Sequence, residues 1–273
     1  MQTLDLTRAL ANAERLPAPA PDRAFFDLYG LTMIAYPAAF GWVLLAIAGI
    51  AYGVAGWRSV TFGEVLRGAG GTLLTLMIAA ALLHVGNLAS GAGAPVNYYD
   101  RLAAIAKLEL QALMMCLAAL TFAVAIAVPG RPAVAIGAAL PLFLIAIAVQ
   151  TLAPPAAYLI IMPLLVGGVA LAATTWPGGG FGTAATIAAA ALVTGLMLAT
   201  GFLLIEGVGP DRPEPAALLT ALCLPVIWPL VPPVKLRVLF VLGTAFALTG
   251  FAVALWVWLD PVANSVAIYS QFS

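Results

Sequence analysis

Charge is what this sequence has least of. Eleven basic and eleven acidic residues among 273 amount to 8% of the chain and cancel to a net charge of zero, where a soluble domain carries about 25% charged residues. So few charges cannot solvate a globular surface, and lipid must be the solvent for most of the chain. The balance leaves no basic face for nucleic acid and no cluster of Lys and Arg for a lipid phosphate. A single histidine, His84, excludes zinc centres built on paired histidines, and no His-Glu-x-x-His motif exists. A phosphate-cradling loop with its lysine and a Gly-x-Ser-x-Gly elbow are also missing. The two cysteines, Cys116 and Cys223, lie in apolar runs and read as small buried hydrophobes rather than a disulfide or metal ligands.

What is abundant is hydrophobicity: 64% of the residues are hydrophobic and the mean hydropathy is +1.09. A membrane helix takes about 20 mostly apolar residues, and eight such runs can be traced, at 33–55, 66–88, 104–128, 133–152, 156–175, 183–205, 216–231 and 236–259. The fold class expected is therefore all-α, a polytopic helical membrane bundle of about eight transmembrane helices. Pro37 falls in the first turn of the first run, where a missing N–H costs little. Pro129, Gly130, Arg131 and Pro132 close the third, Pro154 and Pro155 the fourth, and Trp176 to Gly180 forms a turn after the fifth. The fifth run contains Pro163. The seventh is short and contains Pro225 and Pro229, which suits a kinked span or a re-entrant segment whose freed backbone groups find partners nearby. The spans show no internal repeat, so nothing points to an inverted-repeat transporter.

Three regions follow: a polar, exported lead-in at 1–32, the helical membrane domain at 33–259, and the start of an exported tail at 260–273. Residues 1–22 have no apolar h-region and read as no signal peptide. The lysine and arginine bias sets orientation. With the N-terminus outside, the inner loops carry Arg58, Arg67, Arg131, Lys235 and Arg237 against Glu64. The outer side then carries Arg101 and Arg212 against Asp100, Asp211 and Glu214, with Glu206 and Asp260 at helix ends. Arg8, Arg15 and Arg23 oppose this. The expectation is a multi-pass protein of an inner membrane with both termini outside the cytoplasm.

Polar residues inside spans are the natural candidates for chemistry. His84 and Asn87 end the second run, and Asn97, Tyr98, Tyr99, Asp100 and Arg101 precede the third, where tyrosines favour the interface and the charges are solvated or paired. Lys107, Glu109 and Gln111 occupy the first turns of the third run. Lys107 and Glu109, two apart, face different sides, so Lys107 is expected to snorkel outward and Glu109 to sit deeper. Gln150 and Glu206 end the fourth and sixth runs. His84, Glu109 and Glu206 are the candidate intramembrane polar set. They serve either as interhelical hydrogen-bonding groups or as an ion or proton path, and all lie near one face.

The lead-in reads Phe25-Phe26-Asp27-Leu28-Tyr29-Gly30, then Ile34-Ala35-Tyr36-Pro37-Ala38-Ala39, and the tail runs from Leu259-Asp260-Pro261 to Asn264-Ser265-Val266. The tail alternates like a strand, with no partner strand expected in the chain, and a lone strand is not stable. These elements resemble the membrane-anchored zinc aminopeptidases of peptidase family M-twenty-eight, the endoplasmic-reticulum-metallopeptidase-like group. There an exported di-zinc peptidase domain is followed by a Phe-Asp-Leu-x-Gly element, a Tyr-Pro-Ala element that opens a multi-span domain, and a short β-rich exported domain. The resemblance covers about residues 20–273. It implies two zinc ions held by two histidines and several carboxylates, with a glutamate as general base, in a separate peptidase domain. This chain has no positions for those ligands, so no cofactor is expected in it.

The function implied is a membrane domain that anchors or positions a peptidase domain that it lacks. Its partners would be the lipid bilayer and that peptidase domain. One alternative is a small permease or channel, motivated by the proline-broken runs and the embedded polar residues. Another is an assembly subunit binding a second membrane protein, motivated by small-residue stretches such as 184–191 that permit close helix packing. The purified chain is expected to release nothing from chromogenic aminoacyl substrates with zinc present. Zinc-dependent turnover in that assay would sink the assignment of catalysis elsewhere.

Overall fold

The computed structural model of the chain describes residues 11–12, 22–28, 31–57, 60–92, 98–126, 132–176, 180–232 and 234–259. Arg8, Arg15, Tyr29, Gly30, Arg58, Asn97, Arg131, the 177–179 turn, the 260–273 tail and the side chains of Tyr98, Tyr99 and Asp100 lie outside them. The chain opens with an antiparallel hairpin of β1 (Arg23–Leu28) and β2 (Thr32–Pro37), in register from Arg23 opposite Pro37 to Leu28 opposite Thr32. A 3-10 turn over Ala38–Phe40 leads into α1 (Gly41–Gly56). There follow α2 (Phe62–Ala89), the short α3 (Tyr98–Ala103), α4 (Ile105–Ile126), α5 (Pro132–Leu152), α6 (Tyr158–Ala173), α7 (Gly180–Val208), α8 (Ala216–Ile227) and α9 (Leu236–Leu259).

The all-α polytopic bundle is present. Among the described residues, six segments are long and apolar enough to cross a membrane, at Ala38–Gly56, Phe62–Ala89, Ile105–Ala125, Ala133–Leu152, Gly180–Val208 and Leu236–Leu259. The fifth and seventh expected spans correspond to the shorter apolar helices α6 and α8, each with an internal proline, Pro163 and Pro225. Pro229 sits in a 3-10 turn, Trp228–Leu230, that prolongs α8. One boundary needs correcting. Residues 33–37 are not the first turn of a span but most of β2, and Pro37 ends the strand. Thr32, Ile34 and Tyr36 are strand formers, and their apolar neighbours merge with the span behind them when hydropathy alone is read.

Large apolar side chains such as Ile50, Leu144, Leu198 and Val241 stand exposed around the outside, as expected of helices that face lipid rather than water. Threonines within the helices satisfy themselves: Thr75, Thr186, Thr194 and Thr220 each donate to the carbonyl four residues back. With lipid tails as apolar as leucine, helix association must come from close packing and interhelical hydrogen bonds. The α2–α5 contact shows both. A Cβ at Gly68 would collide with the backbone of Val134 and lie 2.7 Å from Ala138 N, and one at Gly137 would lie 2.8 Å from Val65 Cα. Thr72 Oγ1 donates across the same contact to Ala138 O at 3.0 Å.

The centre of the bundle is α8. Ala217, Thr220, Leu222 and Leu224 are all buried, and α8 packs on α2, α4, α5, α6 and α7. Its far end carries Trp228, 1% exposed and clustered with Ala123, Val134, Ala138 and Leu224. The indole fits because Gly71 of α2 has no side chain, a Cβ there falling 2.6 Å from its ring. Around this core, α1 pairs with α6, where Tyr52 lies against Gly167 and Gly168, and α4 pairs with α9, where Phe122 fills the space at Gly243.

Gly68→Ala is expected to cost about 1–3 kcal/mol through forced separation of two backbones. Gly70→Ala, where a Cβ meets nothing, should be neutral or stabilising by up to about 1 kcal/mol from helix propensity. Thermal unfolding of both variants in detergent micelles reads the difference, and equal midpoints would mean that α2 and α5 do not touch there.

Candidate functional site

The starts of α1, α4, α6 and α8 and the ends of α2, α5, α7 and α9 share one side of the bundle, the side of the hairpin. The polar residues gather there in three places.

The first is a cap around Arg101. Two glycines make it possible. Gly91 (φ 95°) and Gly209 (φ 100°) take the left-handed conformation that ends α2 and α7, a conformation that side chains resist. The turns they create deliver Asn87 and Ser90 on one side and Pro210 and Asp211 on the other. Arg101 of α3, 3% exposed, lies between them. Its Nη1 donates to Asn87 O (3.3 Å) and Ser90 Oγ (3.1 Å), and its Nη2 to Asn87 Oδ1 (2.5 Å) and Pro210 O (3.2 Å). Nε stands 3.3 Å from the half-exposed Asp211 carboxylate, and Asn87 Nδ2 donates to Asp211 O at 2.8 Å. Burial pulls the guanidinium pKa down and Asp211 offsets part of that, but arginine stays charged at any ordinary pH. The sequence leaves Arg101 solvated or paired. It is paired, and buried as well.

The second is the seat of the hairpin. Ala24 and Phe26 face inward and are buried, and the Phe26 ring stacks on Tyr158 at the start of α6, centroids 5.0 Å apart. Ala38 N donates to Asp22 O at 3.0 Å. The buried Gln150 at the end of α5 donates from Nε2 to Ala38 O at 2.9 Å, and its amide occupies the space where Gly41 lacks a side chain.

The third is a cleft of about 540 Å³ between α4, α7 and α8. Glu109, Leu113, Leu117, Leu198, Phe202 and Leu219 are among its walls. Glu109 Oε1 is buried there without a hydrogen-bond partner, and the exposed Glu206 acts on it electrostatically.

Of the three candidates, then, Glu109 alone lines this cleft, and Glu206 acts on it electrostatically from an exposed position. His84 is joined instead to Glu214, Nδ1 to Oε1 at 2.9 Å, at an exposed position. Lys107 sets its ammonium 4.2 Å over the Trp256 ring of α9. Cys116 and Cys223 both line the cleft and are free thiols. Among the described residues, no three His, Cys, Asp or Glu side chains gather as metal ligands would.

No family model, curated protein or solved structure matches this chain.

Sequence reasoning passed over Gln150 as a clamp and Asn87 as the partner of Arg101. The available signal was chemical: an Asn one turn before a helix-ending Gly, and a Gln at the last turn before a Pro-Pro stop, are polar groups that need partners inside an apolar bundle. Arg101→Met is expected to cost about 1–3 kcal/mol by leaving the buried Asn87 and Ser90 acceptors unpaired, and to speed amide exchange across 209–215. Arg101→Lys should recover only part of both. Unchanged exchange in that loop would show that the guanidinium does not hold it.

Proposed function

We propose that this chain is a membrane platform that anchors and positions an exported peptidase domain on its hairpin side. The seat of the hairpin carries the reading. A chain that only tethered a load would need nothing but a flexible linker. Here the polypeptide leading into the bundle is held by a buried aromatic stack, a backbone hydrogen bond at Asp22 and the Gln150 amide. A two-stranded hairpin is marginal alone, and packing on α6 fixes its direction, so whatever it carries is held in a set orientation. Its outward face, with Phe25 62% and Met33 70% exposed, offers apolar contact to such a domain. The resemblance of this same segment to the junction in zinc aminopeptidases of family M-twenty-eight supports the choice of load, and zinc belongs to that domain.

Charge supports placing the hairpin side outside an inner membrane. In the sequence, the stretches around the α1–α2, α4–α5 and α8–α9 connections carry Arg58, Arg67, Arg131, Lys235 and Arg237, against Arg101 and Arg212 around the hairpin-side connections, the bias of a cytoplasmic face, with Arg23 opposing it. The permease alternative requires a water path at Glu109 or Glu206. The cleft beside Glu109 is otherwise lined by apolar and small side chains, which favours a lipid-facing role.

Photoreactive residues at Phe25 and Met33 in the native membrane test the proposal. Capture of a protein or domain with chelator-sensitive aminopeptidase activity is expected, with yield falling several-fold in Phe26→Ala. Captured material without zinc-dependent hydrolysis overturns the reading. Cysteines at 109 and 206 that react with polar thiol reagents from both sides would put the permease in its place.

A further inference from the structure

The cleft between α4, α7 and α8 has the shape of a lipid site. Helix α8 forms its floor, and α4 and α7, which barely touch each other, form its walls. The opening between those walls faces the bilayer, with Leu110, Leu198 and Phe202 exposed along its rim. The lining on α4 runs from Ala106 to Leu120, a length of about 21 Å at 1.5 Å per residue, against about 15 Å for one leaflet of the hydrocarbon core. The volume of about 540 Å³ lies within the range of specific ligand sites. Small residues make the concavity: Gly201 has only Leu219 within reach of a Cβ, at 3.6 Å, and Ala112, Ala216 and Thr220 line the cleft beside it.

The end near the hairpin side is chemically different. Glu109 Oε1 has no donor, and the nearby Glu206 adds a second carboxyl. Of the neighbouring cations, Lys107 is turned to Trp256 and Arg101 is enclosed by its own cap. A carboxyl at the edge of an apolar bundle, with a buried oxygen left unpaired, is costly until a donor reaches it. The cleft therefore complements an amphiphile with one long apolar chain and a cationic head that carries N–H groups.

We infer that this cleft binds an aminophospholipid, with one acyl chain lying along α8 and the headgroup ammonium donating to Glu109 beside Glu206. Phosphatidylcholine, whose ammonium has no N–H, makes the weaker contact, and an anionic headgroup is repelled by the two carboxylates.

The full chain, in nanodiscs of phosphatidylcholine, is doped with phosphatidylethanolamine bearing a photoreactive group midway along one acyl chain, or with phosphatidylglycerol bearing the same chain. Cross-links are mapped by mass spectrometry. The ethanolamine lipid is expected to label 113–120 and 194–202 roughly tenfold more than the glycerol lipid, the worth of one charge-assisted hydrogen bond. Glu109→Gln should reduce that preference to near unity while keeping the labelled positions. Gly201→Leu, which fills the cleft, should lower labelling by both lipids. The wild-type comparison stands without either variant. Equal labelling by the two lipids, or cross-links spread evenly over the lipid-facing surface, overturns the proposal.

Discussion

The α2–α5 backbone contact is the constraint on which the other placements depend. In a bilayer, apolar side chains gain little by leaving lipid for one another, so helices hold together where their backbones can approach closely. Gly68 and Gly137 permit that approach, and Thr72 locks it with a hydrogen bond to Ala138 O. Trp228 then finds its space at Gly71, one turn further along α2, and this fixes the lower end of α8. With α8 fixed as the floor, the separation of α4 from α7 becomes a cleft rather than a packing fault.

The hairpin side is stabilised by a different chemistry. There the ends of α2 and α7, with α3 between them, meet through one buried guanidinium that satisfies acceptors from the last turn of α2 and the loop after α7, more than 100 residues apart in sequence (Asn87 and Pro210). A planar fork of five donors suits that task, where a lysine would reach only part of the set. The same side seats the hairpin through Gln150 and Phe26.

The spans were legible because lipid demands about 20 apolar residues and little else. The errors have physical causes. Residues 33–37 are as apolar as the helix that follows, so a hydropathy count cannot tell strand from span, and only pairing with β1 decides it. Helix α6 matches α1 in length but is separated from the 3-10 turn at Pro154–Ala156, whereas α1 is continued by its own 3-10 turn, and α8 passes into a 3-10 turn at Trp228, just before Pro229. Glu109 stood out as a deep polar group, and Glu206 as one at a helix end, from position alone. The cleft that Glu109 lines depends on how three helices pack, and no local pattern encodes that. Arg101 read as an interfacial charge because its acceptors arrive only after Gly91 and Gly209 have turned the chain.

The length of α7 has one more effect. Its 29 residues measure about 43 Å, against a hydrocarbon core of about 30 Å, and the helix is apolar nearly throughout. Such hydrophobic mismatch is relieved by leaning or by local thickening of the bilayer. Because α7 is also a wall of the cleft, any lean that relieves the mismatch would shift that wall relative to α4 and α8.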